Sequence, residues 1–280
     1  MTGAREPCEV VVTRSGALAI RDVTTGELMH PIVGPMVEAE ALYIRPSGLE
    51  GRMRESASGA DPLVLLDIGL GAGSNAIAAW ALSERMPPGA RRLEIVSFER
   101  SMSAFELALE EEHAAAFGFE GDARLAARAL LAEGRHETSR TLWRLVPGEL
   151  PATLGREREA SADVVFWDAF SPRANPPLWT VGAFAALRPL CRAGATVLTY
   201  CGATAIRSAL LLAGFAVGVG DATRQGGKQT TKAALAPGDL ERPLDRRWLD
   251  RLRRSSAPFP TDAPPDALER IAAMPQFAGG

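Results

Sequence analysis

The stretch Leu63-Val64-Leu65-Leu66-Asp67-Ile68-Gly69-Leu70-Gly71-Ala72-Gly73-Ser74-Asn75 constrains this chain most. A continuous apolar run of this length reads as a strand buried on both faces of a parallel sheet. The glycines that follow at alternate positions let the backbone turn sharply and approach a ligand closely. An Ala-rich run from Ala76 to Leu82 comes next and reads as a helix, whose first N–H groups point back into the turn. Strand, glycine turn and helix in that order form the ligand loop of a doubly wound sheet.

Two kinds of ligand use such a loop. The dinucleotide fingerprint is GxGxxG, whereas here the third glycine comes one residue earlier, as Asp67-x-Gly69-x-Gly71-x-Gly73. An acidic strand end followed by GxGxG resembles the first motif of class I S-adenosylmethionine methyltransferases. That resemblance implies S-adenosylmethionine as cofactor and disfavours NAD. A second acidic residue should then close the next strand and hold the ribose diol, since a carboxylate accepts two hydroxyl hydrogen bonds. Leu93 to Phe98 is that strand, and Glu99 ends it.

Further along, Thr141 to Val146 reads as a strand closed by Pro147-Gly148-Glu149, and Ala162 to Trp167 as one ending at Asp168. Glu149 is a candidate for the adenine amino group and equally for a helix-start carboxylate. In open parallel sheets ligands bind beyond the carboxyl ends of the strands, where Asp67, Glu99 and Asp168 would converge. Strands continue at Gly194–Tyr200 and Phe215–Val219. Gln229 to Leu235 follows a short turn and suggests an antiparallel edge hairpin. Alternating strands and helices give an α/β fold, doubly wound and Rossmann-like, mostly parallel.

The flanks read differently. Glu9–Thr13 and Ala17–Val23 suggest a small N-terminal β-hairpin, with a helix over Pro35–Ile44 and a polar linker over Pro46–Ala60. Met102–Phe117 and Asp122–Glu133 read as helices. Beyond Leu240 an Arg-rich helix near Leu244–Arg254 and a short helix near Ala267–Ala273 form a helical extension. The expected organisation is therefore 1–60 as hairpin, helix and linker, 61–238 as the catalytic domain and 239–280 as the extension.

Composition narrows the function. No apolar run approaches the roughly 20 residues of a membrane helix, and the N-terminus lacks a signal core, so a cytoplasmic location is expected. Three cysteines without close spacing and three scattered histidines argue against disulfides, zinc or another metal site. The net charge of −3 is uneven: residues 171–254 carry 13 Lys+Arg against 5 Asp+Glu. Such asymmetry is a hint of nucleic-acid contact, or of acidic helices lying elsewhere.

The segment after the fourth strand, Asp168-Ala169-Phe170-Ser171-Pro172-Arg173-Ala174-Asn175-Pro176-Pro177-Leu178-Trp179, is rigid with proline. Phe170 and Trp179 offer flat surfaces for a base or for a wall of the site, and Asn175 a free amide. Asp168 is its only carboxylate, suited to hold an amine, orient its lone pair and balance a cationic product.

This segment resembles the D-[GA]-F-x-P-x-x-N-P-x-[ML]-W motif of the MnmC-like methyltransferases. Gly26-Glu27-Leu28-Met29-His30, with Gly34-Pro35 and Glu38-Ala39, is similar to the family's G-E-x-M-H…G-P…E-A segment. Gly71-x-Gly73-x-Asn75 is similar to its cofactor loop, and Gly227-Lys228-Gln229 to its edge hairpin. The resemblance implies methylation of the aminomethyl group of a modified wobble uridine in tRNA, giving 5-methylaminomethyl-2-thiouridine. It implies a separate oxidoreductase acting on the same tRNA, because this chain holds no FAD domain. Asp168 would engage the amine beside the cofactor, with Phe170 and Pro172 shaping the pocket. His30, Arg173, Asn175, Trp179 and Lys228 would meet the substrate. Pro31 and Gln229 depart from the family pattern; the Arg-rich C-terminal segment could supply the phosphate contacts instead. A methyltransferase of a small amine, or a binder of S-adenosylmethionine or RNA without turnover, remain the alternatives.

Overall fold

In the computed structural model the described residues are 7–29, 33–55, 61–221 and 229–278. A three-stranded antiparallel sheet comes first: β1 (Cys8–Val12), β2 (Leu18–Asp22) and β3 (Leu28–Met29). The expected hairpin thus gains a third, two-residue strand, too short to leave a pattern in the sequence.

The main sheet has eight strands: β4 (Leu63–Ile68), β5 (Leu93–Glu99), β6 (Arg135–Glu137), β7 (Thr141–Pro147), β8 (Ala162–Trp167), β9 (Cys191–Thr199), β10 (Ala216–Val219) and β11 (Thr231–Ala234). Their order is β10-β11-β9-β8-β4-β5-β7-β6. β4 pairs in parallel with β5 on one side and β8 on the other. The chain therefore reverses its winding at β4, which opens a crevice at the carboxyl ends of the strands. Side chains of β4 alternate between the faces. Val64, Leu66 and Ile68 join one core with Trp167, Phe184 and Phe215, and Leu63 and Leu65 join the other with Ile77, Phe105 and Trp143. Burial on both faces is why β4 reads as an unbroken apolar run.

β11 is not the outermost strand. It lies antiparallel between β9 and β10, so the hairpin turns inward and β10 forms the edge. The C-terminal extension covers that edge. The Leu244 N–H donates to the Val217 carbonyl, the Val219 N–H to the Arg242 carbonyl, and the Gln276 amide both accepts from and donates to the Val217 backbone. An edge strand covered in this way offers no free ladder for aggregation.

Three further expectations are corrected. The linker expected over Pro46–Ala60 is helical as far as it is described: a π turn (Glu40–Ile44) runs into Arg45–Ser47 and then Leu49–Arg54, with Leu49 and Met53 fully buried. Its polar composition hid two core residues about one helical turn apart. The helix expected over Met102–Phe117 stops at Ala108 and resumes as a 3₁₀ turn at Ala114, leaving Glu110-Glu111-Glu112 in an exposed turn. β6, antiparallel on β7, went unread at three residues.

The Arg-rich helix, Arg246–Arg253, starts on Asp245, whose side chain caps the Arg247 and Trp248 N–H groups. Trp248, Leu249 and Leu252 are buried, and Trp248 stacks on Phe277 at 6.2 Å. Arg247, Arg251, Arg253 and Arg254 remain exposed. Among the described residues no helix is long and apolar enough to cross a membrane.

Candidate active site

A cavity of about 860 Å³ opens where β4, β5, β7 and β8 end, lined also by Glu27, by Leu28 and Met29 of β3 and by Tyr43. Its size suits a ligand larger than a single nucleotide base.

The glycine loop forms its floor. The Gly69 and Leu70 N–H groups both donate to the Phe98 carbonyl at 3.1 and 3.2 Å, tying the loop to the neighbouring strand. Two of its glycines are required by space as well as by positive φ. A Cβ on Gly69 (φ 86°) would sit 3.1 Å from the Asp168 carbonyl, and one on Gly73 (φ 83°) 2.5 Å from a ring carbon of Phe105. Glu99 clamps the loop from β5: its Oε2 accepts from the Gly71 N–H at 3.0 Å and its Oε1 from the Arg100 and Ser101 N–H groups. Glu149 lines the cavity mouth with its side chain 73% exposed, 3.9 Å from Arg100.

Asp168 stands at the end of β8, facing the cavity. Both carboxylate oxygens are held: the Tyr43 hydroxyl donates to Oδ1 and the Asn75 amide to Oδ2, each at 2.6 Å. Burial pushes its pKa up to about 6, against the opposing pull of those two hydrogen bonds. The segment after it is pinned at several points. Trp179 Nε1 donates to the Phe170 carbonyl at 2.7 Å, and the Tyr200 hydroxyl to the Ala169 carbonyl at 3.1 Å. Ser171 donates from its N–H to Glu27 Oε2 at 2.9 Å and from its hydroxyl to Oε1. Arg173 lies 4.0 Å from the same Glu27, its side chain exposed.

Asp67 is only 1% exposed and lies behind the cavity wall, accepting from the Ser97 hydroxyl at 2.7 Å; Ser97 in turn accepts from Trp143 Nε1. Burial first, then the nearby Asp168 and Glu99 charges, push its pKa up to about 8. The folded state therefore holds this proton more tightly than the unfolded chain does. Its contribution to stability is complete below the unfolded pKa near 4 and is lost as pH rises towards 8, by about 1.4 kcal/mol per unit. Asp67→Asn, which keeps an acceptor for Ser97, is expected to flatten the fall of Tm between pH 5 and pH 8 in thermal melts. An unchanged slope in the variant would show that Asp67 is already ionised.

Of the residues expected at the site, Gly69, Gly71, Glu99, Glu149, Asp168, Phe170, Arg173 and Asn175 line the cavity. Asp67, Gly73, Asn75, Pro172 and Trp179 do not line it; Gly73, Asn75 and Trp179 pack or bond directly behind it. His30 and Lys228 lie outside the described residues. Tyr43, Glu27 and Tyr200 were not singled out for roles. Glu27 had a signal, in the Gly26–His30 run; Tyr43 reads as one more apolar residue of a helix. The only metal-ligand grouping among the described residues, Glu110, Glu112 and His113, belongs to the exposed turn away from the cavity.

Residues 130–236 match a family model described as S-adenosyl-L-methionine-dependent methyltransferase. A "tRNA 5-methylaminomethyl-2-thiouridine biosynthesis bifunctional protein MnmC" of Ralstonia nicotianae is 31% identical over 196 residues, 68% of this chain and 29% of its own length. One of the same name from Paracidovorax citrulli is 32% identical over 202 residues, 69% of this chain and 30% of its own. This chain thus spans about a third of the length of these relatives. The crystal structure of MNMC2 from Aquifex aeolicus superposes with a TM-score of 0.71 at 24% identity, over 97% of this chain and 87% of that one, a likeness of fold. Sheet order, glycine loop and family match together define a class I S-adenosylmethionine-dependent methyltransferase. Within that class the chain is similar to the MnmC proteins over about two thirds of its own length.

Proposed function

We propose that this methyltransferase transfers a methyl group to the aminomethyl nitrogen of a modified wobble uridine in tRNA. The observation that carries the reading is Asp168, a carboxylate held at both oxygens on the wall of the cofactor cavity. The relatives' printed names supply the substrate.

The cavity fits S-adenosylmethionine. Gly69 and Gly71 leave space that a side chain would fill, and Glu99 offers carboxylate oxygens for ribose hydroxyls. Glu27, Glu99 and Asp168 make a wall suited to a sulfonium cation. When bound, the cofactor supplies an electrophilic methyl group. The protein's own part is positioning and proton handling. Asp168 accepts an N–H hydrogen bond from the acceptor amine and so aims its lone pair. Being ionised above about pH 6, it takes up at its carboxylate the proton the methylated amine releases. Phe170 and Asn175 bound the space the uridine enters, and Arg173, exposed and 4.0 Å from Glu27, is placed to meet a phosphate. The exposed arginines of Arg246–Arg253 offer further charge for phosphate contacts. In this reading residues 61–238 carry the reaction, a separate oxidoreductase prepares the amine, and the tRNA substrate sets the reaction in the cytoplasm.

The test is methyl transfer to tRNA purified from a strain that leaves the primary amine unmethylated, read by mass spectrometry of the wobble nucleoside. A gain of one methyl group is expected, with the logarithm of tRNA affinity falling linearly in log salt. Transfer to small amines but not to this tRNA would favour the small-molecule alternative and overturn the proposal.

A further inference from the structure

Asp168 is held by groups 125 and 93 positions away in the chain, and neither lies in the segment that carries the motif. Tyr43 comes from the π turn Glu40–Ile44, is 1% exposed, and packs its ring against Phe166 of β8 at 5.1 Å. π turns insert one residue into a helix and re-aim the side chains around it, and they recur at functional sites. Asn75 is the second residue of the helix after the glycine loop and is 4% exposed. Its own Oδ1 is buried without a partner, so the amide leaves its acceptor unsatisfied while its NH₂ points at Asp168. A buried polar atom left unpaired calls for a functional reason.

We infer that Tyr43 and Asn75 are a positioning pair for methyl transfer, fixing the plane and charge of the Asp168 carboxylate so that its remaining lone pairs meet the acceptor amine. An ionised carboxylate has about four acceptor sites; the pair occupies one on each oxygen. Tyr43 stays protonated, because burial and the Asp168 charge hold its hydroxyl well above the usual phenol range, and so it remains a donor. Neither residue carries charge. They stabilise the ionised acid without cancelling it, as an arginine would.

The inference rests on Asp168 as the group that receives the amine, and two readouts separate the two claims. The first is the pH profile of kcat/KM for methyl transfer in Tyr43→Phe and Asn75→Ser. The acid limb is expected to move up by about 1 to 2 pH units, with kcat falling more than KM rises, since each lost hydrogen bond to a charge is worth that much. The second needs no turnover: ¹³C NMR titration of the Asp168 carboxyl, assigned by its disappearance in Asp168→Asn, with the same upward shift expected. Thermal melts identify folded variants, and should Tyr43→Phe unfold, Asn75→Ser reads the same quantity. Shifted titrations in a parent that transfers no methyl group would sink the proposed function yet support the pair. Methyl transfer with unmoved titrations and unmoved acid limbs overturns the pair.

Discussion

Asp168→Asn is expected to lower the rate of methyl transfer by about 10²- to 10⁴-fold, the range spanned by a positioned acid or base, while cofactor affinity stays within a few fold. The asparagine keeps an oxygen for Tyr43 or Asn75, so the segment from Ala169 to Trp179 retains its other anchors on Glu27 and Tyr200. What it removes is the negative charge that receives the amine proton. The parent should show the same dependence through pH. Its Asp168 has a pKa raised to about 6, so activity is full above that value and falls tenfold per unit below it as the carboxylate protonates. The variant, having nothing to titrate there, should lose this acid limb. Single-turnover transfer and calorimetric binding of S-adenosylhomocysteine separate the two quantities. Equal losses of binding and rate would mean that Asp168 serves the cofactor alone.

Gly73→Ala should destabilise the fold by about 2–5 kcal/mol and abolish cofactor binding. Two costs add. A side chain at φ 83° carries about 1–2 kcal/mol of backbone strain. The new Cβ would stand 2.5 Å from Phe105 and 3.0 Å from Phe119. Those rings meet edge to face at 5.5 Å, and Phe105 also meets Trp143 edge to face at 6.0 Å, so the cluster is filled and yields only at an overpacking cost of about 1–3 kcal/mol. Gly89→Ala is the control: φ is 91° there, and nothing lies within 4 Å of the added carbon. Urea unfolding of the two variants should differ by the steric part alone. Equal losses would place the whole effect in backbone strain and remove the packing argument for this glycine.

Much of the fold was legible because it is written locally. β8 is legible at its observed bounds and β4 to within one residue, ending at Ile68 rather than Asp67, since strands buried on both faces are continuous apolar runs. The helix Val181–Leu187 starts on Thr180, whose side chain accepts from the Ala183 N–H, a local cap. Elements with weak local signals were lost. β3 and β6 are two and three residues long, and Leu49–Arg54 hides its buried Leu49 and Met53 among charges.

For the site, the chain's own order of residues determined the turn at Gly69–Gly73 and the acidic strand ends, because a turn's φ requirement and a strand's period act within a few residues. Tertiary structure alone decided which acids face the ligand. Asp67 and Asp168 both close core strands, yet one turns into the sheet onto Ser97 and the other opens to the cavity under Tyr43. That division depends on contacts up to 125 positions apart, and the burial and charge that set a carboxylate's proton affinity exist only once those distant segments have packed together.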